Sequence, residues 1–270
     1  MRRLNFFLDI DGTLLPFGKG VPESAKRAIR HASSLGHRFF LSTGRSLPEV
    51  DPELKTLPFS GGVYSAGGVV VLDDKVISRR VFSKEEKDFM LDYAEEEGLA
   101  LLIQSEDGTY LSKESGELFT SLLKKHIGRV LDIPNFKLVD SFPENLDIYK
   151  LLFISVEGKV DKVRQDLKGQ FVVVDNTVGL PHQIMAEIVL PSITKATGIQ
   201  VMLDALSEQR ESVVAIGDGA NDIEMIEFAA LGIAMGNSDE CLRRCASFVT
   251  HDVERDGLEK AIEYALEHLS

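Results

Sequence analysis

The sequence predicts an α/β protein, a doubly wound parallel sheet interrupted by a smaller α+β module. Three observations carry that expectation. Short apolar runs alternate with stretches of helical periodicity at both ends of the chain. Turn residues and acids gather where several of those runs stop. The middle of the chain changes character, with a hairpin signal and strands in mixed order.

Taken in order, Leu4–Leu8 is the kind of apolar run that forms a buried parallel strand. Glu23–Leu35 sets Ala25, Ala28, Ile29, Ala32 and Leu35 at helical spacing, with Gly36 where a C-terminal cap belongs. Arg38–Leu41 is a second strand running into Ser42-Thr43-Gly44-Arg45, and Val63-Tyr64-Ser65 and Val69–Leu72 are further strands. In the middle, Lys84–Glu97 and Glu117–Ile127 read as helices, and Ala100–Ile103 and Thr109–Leu111 as a hairpin turning at Asp107-Gly108. Tyr149–Val156, Phe171–Val174 and Ile184–Leu190 read as strands and Val160–Leu167 as a helix, with the helices expected on one side. Alternation then returns: helix Lys195–Leu206, strand Val213–Ile216, helix Asp222–Ala230, strand Gly232–Met235, helix Ser238–Ala246, strand Phe248-Val249 and helix Gly257–Leu269. The expected boundaries give a core domain over residues 1–79 and 190–270 and an inserted domain over 80–189.

Composition narrows the function. With 44% apolar and 27% charged residues, the 270-residue chain can bury a sizeable core and is not a disordered one. Its 30 basic residues against 43 acidic ones give a net charge of −13, which repels a phosphate backbone or an anionic bilayer. No nucleic-acid or membrane partner is expected. A small anionic substrate stays open, because a bound metal ion can invert the local potential. Cys241 and Cys245 lack the further donors of a zinc site and read as packing residues. With no signal-peptide pattern and no apolar span, a cytoplasmic location is expected, as a monomer or homodimer.

Four segments carry chemistry. In Phe7-Leu8-Asp9-Ile10-Asp11-Gly12-Thr13-Leu14, two acids two positions apart follow a buried strand, at the sheet edge where open α/β folds bind ligands. Acids so close need a cation or a shared proton; on these residues alone the run reads equally as an Asp-Gly turn and as a site. In Ala215-Ile216-Gly217-Asp218-Gly219-Ala220-Asn221-Asp222, small residues allow close backbone approach and the acids suit Mg²⁺. Acids in that turn would repel a pyrophosphate, which argues against dinucleotide binding. Thr43 and Gly44 can grip a phosphate oxygen, although Ser-Thr-Gly turns are common. Lys195, taken by itself, reads as a surface lysine.

Together these segments closely resemble the haloacid dehalogenase superfamily of phosphatases, whose four motifs match Asp9–Thr13 (DxDGT), Thr43, Lys195 and Gly217–Asp222 (GDGxND) in order and spacing. The Ser42–Arg45 run, the insert, Ala234-Met235-Gly236-Asn237 and the stretch from Val249-Thr250 to Asp256-Gly257 are similar to the Cof-type sugar-phosphate phosphatases with a C2-type cap. The resemblance implies a Rossmann-like core, a substrate-selecting cap over 80–189, Mg²⁺ as cofactor and a small phosphorylated metabolite as substrate. It implies Asp9 as nucleophile and Asp11 as general acid and base, with Mg²⁺ held by Asp9, the carbonyl of Asp11 and Asp218. Asp222 would orient the metal shell or Lys195. Thr43 and Lys195 would bind phosphoryl oxygens, aided by backbone N–H groups near Ile10, Gly12 and Gly44, with Asn221 touching phosphate or substrate and Arg45 a substrate group. One departure stands out: Ala66-Gly67-Gly68 replaces the group's usual Asn-Gly-Ala, so a rim amide is absent. Two other functions share these acids. A phosphotransferase or mutase would pass the phosphoryl group to a sugar, and a phospho-acceptor switch would hold it without turnover.

Overall fold

The computed structural model describes residues 2–16, 18–128, 136–176 and 180–269. The chain begins with β1 (Asn5–Leu8), α1 (Glu23–Ser34), β2 (Arg38–Ser42), β3 (Phe59–Tyr64), β4 (Val69–Leu72) and β5 (Lys75–Arg79). The middle supplies α2 (Lys84–Glu97), β6 (Ala100–Ser105), β7 (Gly108–Ser112), α3 (Lys113–Ile127), β8 (Phe136–Val139), β9 (Lys150–Ile154), α4 (Val160–Asp166), β10 (Val172–Asp175) and β11 (Met185–Val189). It ends with α5 (Lys195–Leu206), β12 (Val213–Gly217), α6 (Ile223–Phe228), β13 (Leu231–Ala234), α7 (Glu240–Cys245), β14 (Phe248–Val249) and α8 (Gly257–Leu269). Two compact units result: Met1–Arg45, Asp51–Arg79 and Thr194–Ser270 form the first, Ser46–Val50 and Arg80–Ile193 the second.

In the first unit the sheet order is β14-β13-β12-β1-β2-β3-β4-β5. All four residues of β1 are buried, and it pairs in parallel with β2 and β12. Strand alternation sends Phe6 and Phe7 to opposite faces. Phe6 stacks on Phe39 with centroids 4.6 Å apart, and Phe7 on Phe40 at 5.0 Å. Ile199, Met202 and Leu203 of α5 and Met225 and Ile226 of α6 complete the Phe7 layer. Each such side chain contributes about 1.5–3 kcal/mol by leaving water. Helices α1 and α8 take no part in that layer; they pack on each other and reach β2, β12 and β13. Helices therefore cover both faces, as in a doubly wound sheet.

The parallel run stops at β3. Strands β4 and β5 are antiparallel, because Asp73 and Asp74 form a two-residue turn in left-handed conformation, φ 46° and 60°, which folds a strand straight back on itself. Lys75–Arg79 is largely exposed and had no apolar pattern to announce it. The start of β3 was hidden by Gly61-Gly62; a Cβ on Gly61 would stand 2.0 Å from the carbonyl oxygen of Val71, so the close approach of β4 demands glycine there.

The second unit holds a sheet of order β10-β11-β9-β6-β7-β8. Leu101, Ile103, Leu151, Phe153, Ala186 and Ile188 on one face meet Met90 and Ala94 of α2 and Val160 and Val163 of α4. On the other face Leu102, Leu111, Leu152, Ile154 and Met185 meet Phe119, Leu122 and Leu123 of α3. Helices lie on both sides rather than one: α3 springs directly from β7, with the Ser112 hydroxyl accepting from the N–H of Ser115 at 3.0 Å. The segment Ser46–Val50, which the sequence places with the core, joins this unit through Glu49. The buried Glu49 carboxylate accepts from the N–H of Ser46 (2.8 Å), from Gln104 Nε2 (3.0 Å) and from the Thr109 hydroxyl. Among the described residues no helix is long and apolar enough to cross a membrane.

Helix α5 lies tight on β3 because two glycines make room. A Cβ on Gly198 would stand 2.3 Å from Val63 Cγ1, and one on Gly67, at φ +113°, 2.3 Å from the carbonyl oxygen of Thr194. Glycine inside a helix ordinarily costs about 1 kcal/mol relative to alanine. Here the sign reverses: Gly198→Ala is expected to destabilise the protein by about 1–3 kcal/mol through overpacking. Adding Val63→Ala should recover part of the loss. Urea unfolding of both variants checks this, and a more stable Gly198→Ala protein would contradict it.

Candidate active site

Strands β1, β2 and β12 run in parallel, so their C-terminal ends deliver Asp9, Thr43 and Asp218 to the same edge of the sheet. Asp9 is fixed by its own N–H, which donates to the carbonyl of Ile216 at 3.0 Å. Lys195 is the first residue of α5, behind a Thr194 cap whose hydroxyl accepts from the N–H of Thr197. Its ammonium donates to Asp9 Oδ1 at 2.6 Å and to Asp222 Oδ1 at 2.5 Å. Lys195 is 1% exposed, and both carboxylates are buried with it. Burial alone would depress the lysine pKa, but Asp222 and then Asp9 outweigh it and hold the pKa above the ordinary lysine value. The expectation of a surface lysine, drawn from Lys195 taken alone, fails because its partners lie far away in sequence.

Asp222 spends its other oxygen on the backbone: Oδ2 accepts from the N–H groups of Asp218 and Gly219, each at 3.0 Å. Asp222 therefore shapes the turn that presents Asp218. The loop after β1 folds around the carbonyl of Ile10, which accepts from the N–H groups of Leu14 (2.9 Å) and Leu15 (2.8 Å). The N–H of Gly12 donates to the carbonyl of Leu15 at 2.9 Å. Gly12 contributes space: at φ +84° a Cβ there would lie 2.0 Å from Asp218 Oδ2.

Asp9, Asp218 and Asp222 each offer a carboxylate oxygen, and these lie within 4.8 Å of one another. Burial first, then Asp222, Asp218 and Asp11, raise the Asp9 pKa well above the usual carboxylate value, against the pull of Lys195. Asp218 is pushed up to about 7 by burial and then by Asp222, against Lys195 and the Thr13 hydroxyl. Crowded, partly desolvated carboxylates with hard oxygen donors are the environment that a small divalent cation relieves, so this donor set fits Mg²⁺.

At the rim, Arg45 grips Asp11 as a fork, Nε to Oδ2 at 2.9 Å and Nη2 to Oδ1 at 2.6 Å. Thr43 is buried and its Oγ1 accepts from the N–H of Arg45 at 3.1 Å. Its carbonyl accepts from the N–H of Ala66 at 3.0 Å. Ala66 sits in left-handed conformation, φ 55°, which suits asparagine better than alanine. Gly44 is half-buried beside Thr43, and Asn221 half-buried in the 3₁₀ turn Ala220–Asp222. In the second unit, His182 faces Asp175 at 3.7 Å, Lys113 pairs with Asp140, and the Tyr110 hydroxyl donates to Asp107.

Two contributors carry no role in the sequence reading. Thr13 donates from Oγ1 to Asp218 Oδ1 at 3.2 Å, and Asn237 donates from Nδ2 to the carbonyl of Gly12 at 2.8 Å. Thr13 was within reach, as part of the Asp-Gly-Thr run.

A family model described as haloacid dehalogenase-like hydrolase matches residues 6–262. The chain belongs to that family. It is similar to the 5-amino-6-(5-phospho-D-ribitylamino)uracil phosphatase YcsE of Bacillus subtilis, at 26% identity over 95% of this chain and 93% of that one. A phosphoglycolate phosphatase of Methanothermobacter thermautotrophicus is 26% identical over 94% and 95%. The solved structure of BT1666 from Bacteroides thetaiotaomicron, a phosphatase of the same superfamily, superposes with a TM-score of 0.83 at 25% identity, covering 97% of this chain and 94% of that one. Family and carboxylate cluster together make the protein a hydrolase of phosphate esters that works through an aspartyl-phosphate.

The raised pKa values set a pH dependence in the absence of metal. Between pH 4 and 7 the folded protein binds more protons at Asp218 than the unfolded chain does, so stability falls as pH rises through about 7. In EDTA the Tm of the protein is expected to decline more steeply from pH 5 to pH 8 than that of Asp218→Asn, which has no carboxyl to titrate there. Parallel curves would contradict the assignment.

Proposed function

We propose that the protein is a Mg²⁺-dependent phosphatase of small phosphomonoesters, sugar phosphates or related polyol and hydroxy-acid phosphates. The reading rests above all on one observation, Lys195 clamped between Asp9 and Asp222 beside Asp218. YcsE and the phosphoglycolate phosphatase act on different small phosphate esters, which supports the substrate class and leaves its members to be distinguished. We assign substrate selection to the second unit, and the acidic chain, in which no described helix is long and apolar enough to cross a membrane, to the cytoplasm.

In this scheme the Asp9 carboxylate attacks phosphorus, forming the aspartyl-phosphate as the bond to the leaving oxygen breaks. Asp11 gives its proton to that oxygen; it then takes one from water as water attacks the aspartyl-phosphate, releasing phosphate and restoring Asp9. Lys195 and the Thr43 hydroxyl donate to phosphoryl oxygens, with backbone N–H groups around Ile10 and Gly44 and the Asn221 amide assisting. Asp9, the carbonyl of Asp11 and Asp218 would hold Mg²⁺, which offsets the repulsion between an anionic nucleophile and an anionic ester. Asp222, with both oxygens committed, orients Lys195 and the Asp218 turn.

The Arg45 fork engages both oxygens of Asp11, so the carboxyl must be released before it can face a leaving group. That release suits an Arg45 that moves to an anionic or hydroxyl group of the substrate.

Phosphate release is to be screened across sugar, polyol, nucleotide and cofactor phosphates with Mg²⁺ present. Release from a sugar or polyol phosphate, lost in EDTA and restored by Mg²⁺, is expected. Phosphoryl transfer to sugar without free phosphate would turn the reading to a mutase, and a long-lived phosphoprotein to a switch. Asp9→Asn should be folded and inactive, and full activity in it would remove the nucleophile. Asp11→Asn should slow turnover of an alkyl phosphate by about 10²–10⁴-fold. Its single-turnover phosphorylation by p-nitrophenyl phosphate, whose leaving group needs no proton, should suffer less; equal losses would deny Asp11 the acid role.

A further inference from the structure

We propose that Asn237 is a positioning residue of the metal site, and that the loop 251–257 behind it helps set affinity for the divalent ion. The inference rests on the metal reading above. Asn237 lies in the turn after β13, half-buried, and its amide has one orientation open to it. The N–H of Val253 donates to Oδ1 at 2.9 Å, so Nδ2 must face the opposite way. There it donates to the carbonyl of Gly12 at 2.8 Å and approaches Asp218 Oδ2 at 3.5 Å. The other Asp218 oxygen accepts from Thr13 at 3.2 Å. Donors from two different loops thus bracket one carboxylate and bias the direction in which its remaining lone pairs point.

The support behind Asn237 is built closely. Gly236 donates its N–H to the carbonyl of His251 at 2.9 Å, and a Cβ on it would meet the backbone nitrogen of Asp252 at 2.5 Å. Loop 251–257 closes on itself: the N–H groups of Arg255 (2.8 Å) and Gly257 (3.1 Å) donate to the carbonyl of Asp252, and the Thr250 hydroxyl to the carbonyl of Gly257 at 2.8 Å. A Cβ on Gly257 would lie 2.1 Å from the carbonyl oxygen of His251. The Val253 N–H is therefore held in place, and it holds Asn237. Residues behind a metal's own ligands fix the ligands' orientation, and losing one typically costs about 10–100-fold in metal affinity.

The test is a Mg²⁺ titration without substrate, read as the rise in Tm and by calorimetry, on the full-length protein and on Asn237→Ala. The unaltered protein should gain Tm with Mg²⁺, and Asn237→Ala should need about 10–100-fold more Mg²⁺ for half the effect. A folded Asn237→Ala whose midpoint stays within about twofold of the unaltered protein overturns the inference, since a merely structural residue would lower Tm without moving that midpoint. No Mg²⁺ response in the unaltered protein would instead overturn the metal reading beneath it. Should Asn237→Ala fail to fold, hydrogen exchange on the unaltered protein decides. Coupling is reciprocal, so Mg²⁺ must slow exchange of the Val253 N–H; unchanged exchange in a protein that binds Mg²⁺ overturns the proposal.

Discussion

The ion cluster centred on Lys195 is the constraint on which the rest of the structure depends. An ammonium at the first residue of a helix stands at the positive end of the helix dipole, and full burial adds a desolvation cost of several kcal/mol. Only the paired contacts to Asp9 and Asp222 make the position tenable. Removing one partner from such a buried cluster is worth about 3–5 kcal/mol, because the remaining charge is stranded. Asp9 lies 186 residues from Lys195, and Asp222 27. The cluster therefore cannot form before β1, β12 and α5 are assembled, so completing the fold and completing the site are one event.

Much of the surrounding structure reads as provision for that closeness. Gly12 leaves the volume that Asp218 occupies, and Gly217 does the same for Asp222, where a Cβ would lie 2.5 Å from the carboxyl carbon. Gly67 and Gly198 bring α5 down onto β3 so that its first residue reaches the strand ends. Asp222 serves twice, neutralising the lysine with one oxygen and knitting the following turn with the other. The result still holds more acid than the basic groups balance, a surplus that burial makes costly and that suits a cation-dependent reaction.

The doubly wound core was legible in the sequence because its strands are apolar and its helices periodic; α2, α5 and α8 have the bounds that their patterns suggest. Acids and glycines at two strand ends made Asp9, Asp11, Asp218 and Asp222 candidates, and the resemblance to the haloacid dehalogenase phosphatases joined them into one site. What stayed hidden has physical causes. Strand β5 is exposed, β3 carries a glycine pair at its third and fourth positions, and a hairpin at Asp73-Asp74 looks in sequence like any acidic turn. Lys195 taken alone showed no sign of its role and entered the site through the family resemblance, whereas Asn237 acquires meaning only from partners elsewhere in the chain. The Arg45–Asp11 fork was missed for the same reason. Glu49 followed an arginine assigned to the core and gave no hint that its carboxylate belongs with Gln104 and Thr109.

That last contact bears on how such proteins can be recombined. An insert joined only at residues 79/80 and 193/194 would be a cassette, open to exchange for a relative's by two cuts. Five residues from elsewhere in the chain, Ser46–Val50, are stitched into the second unit, and the Glu49 carboxylate is the thread. A chimera that swaps 80–193 alone would leave Glu49 facing a foreign surface, stripped of the Gln104 and Thr109 donors that satisfy its buried carboxylate. The unit of exchange, for an engineer and for descent alike, is a discontinuous one.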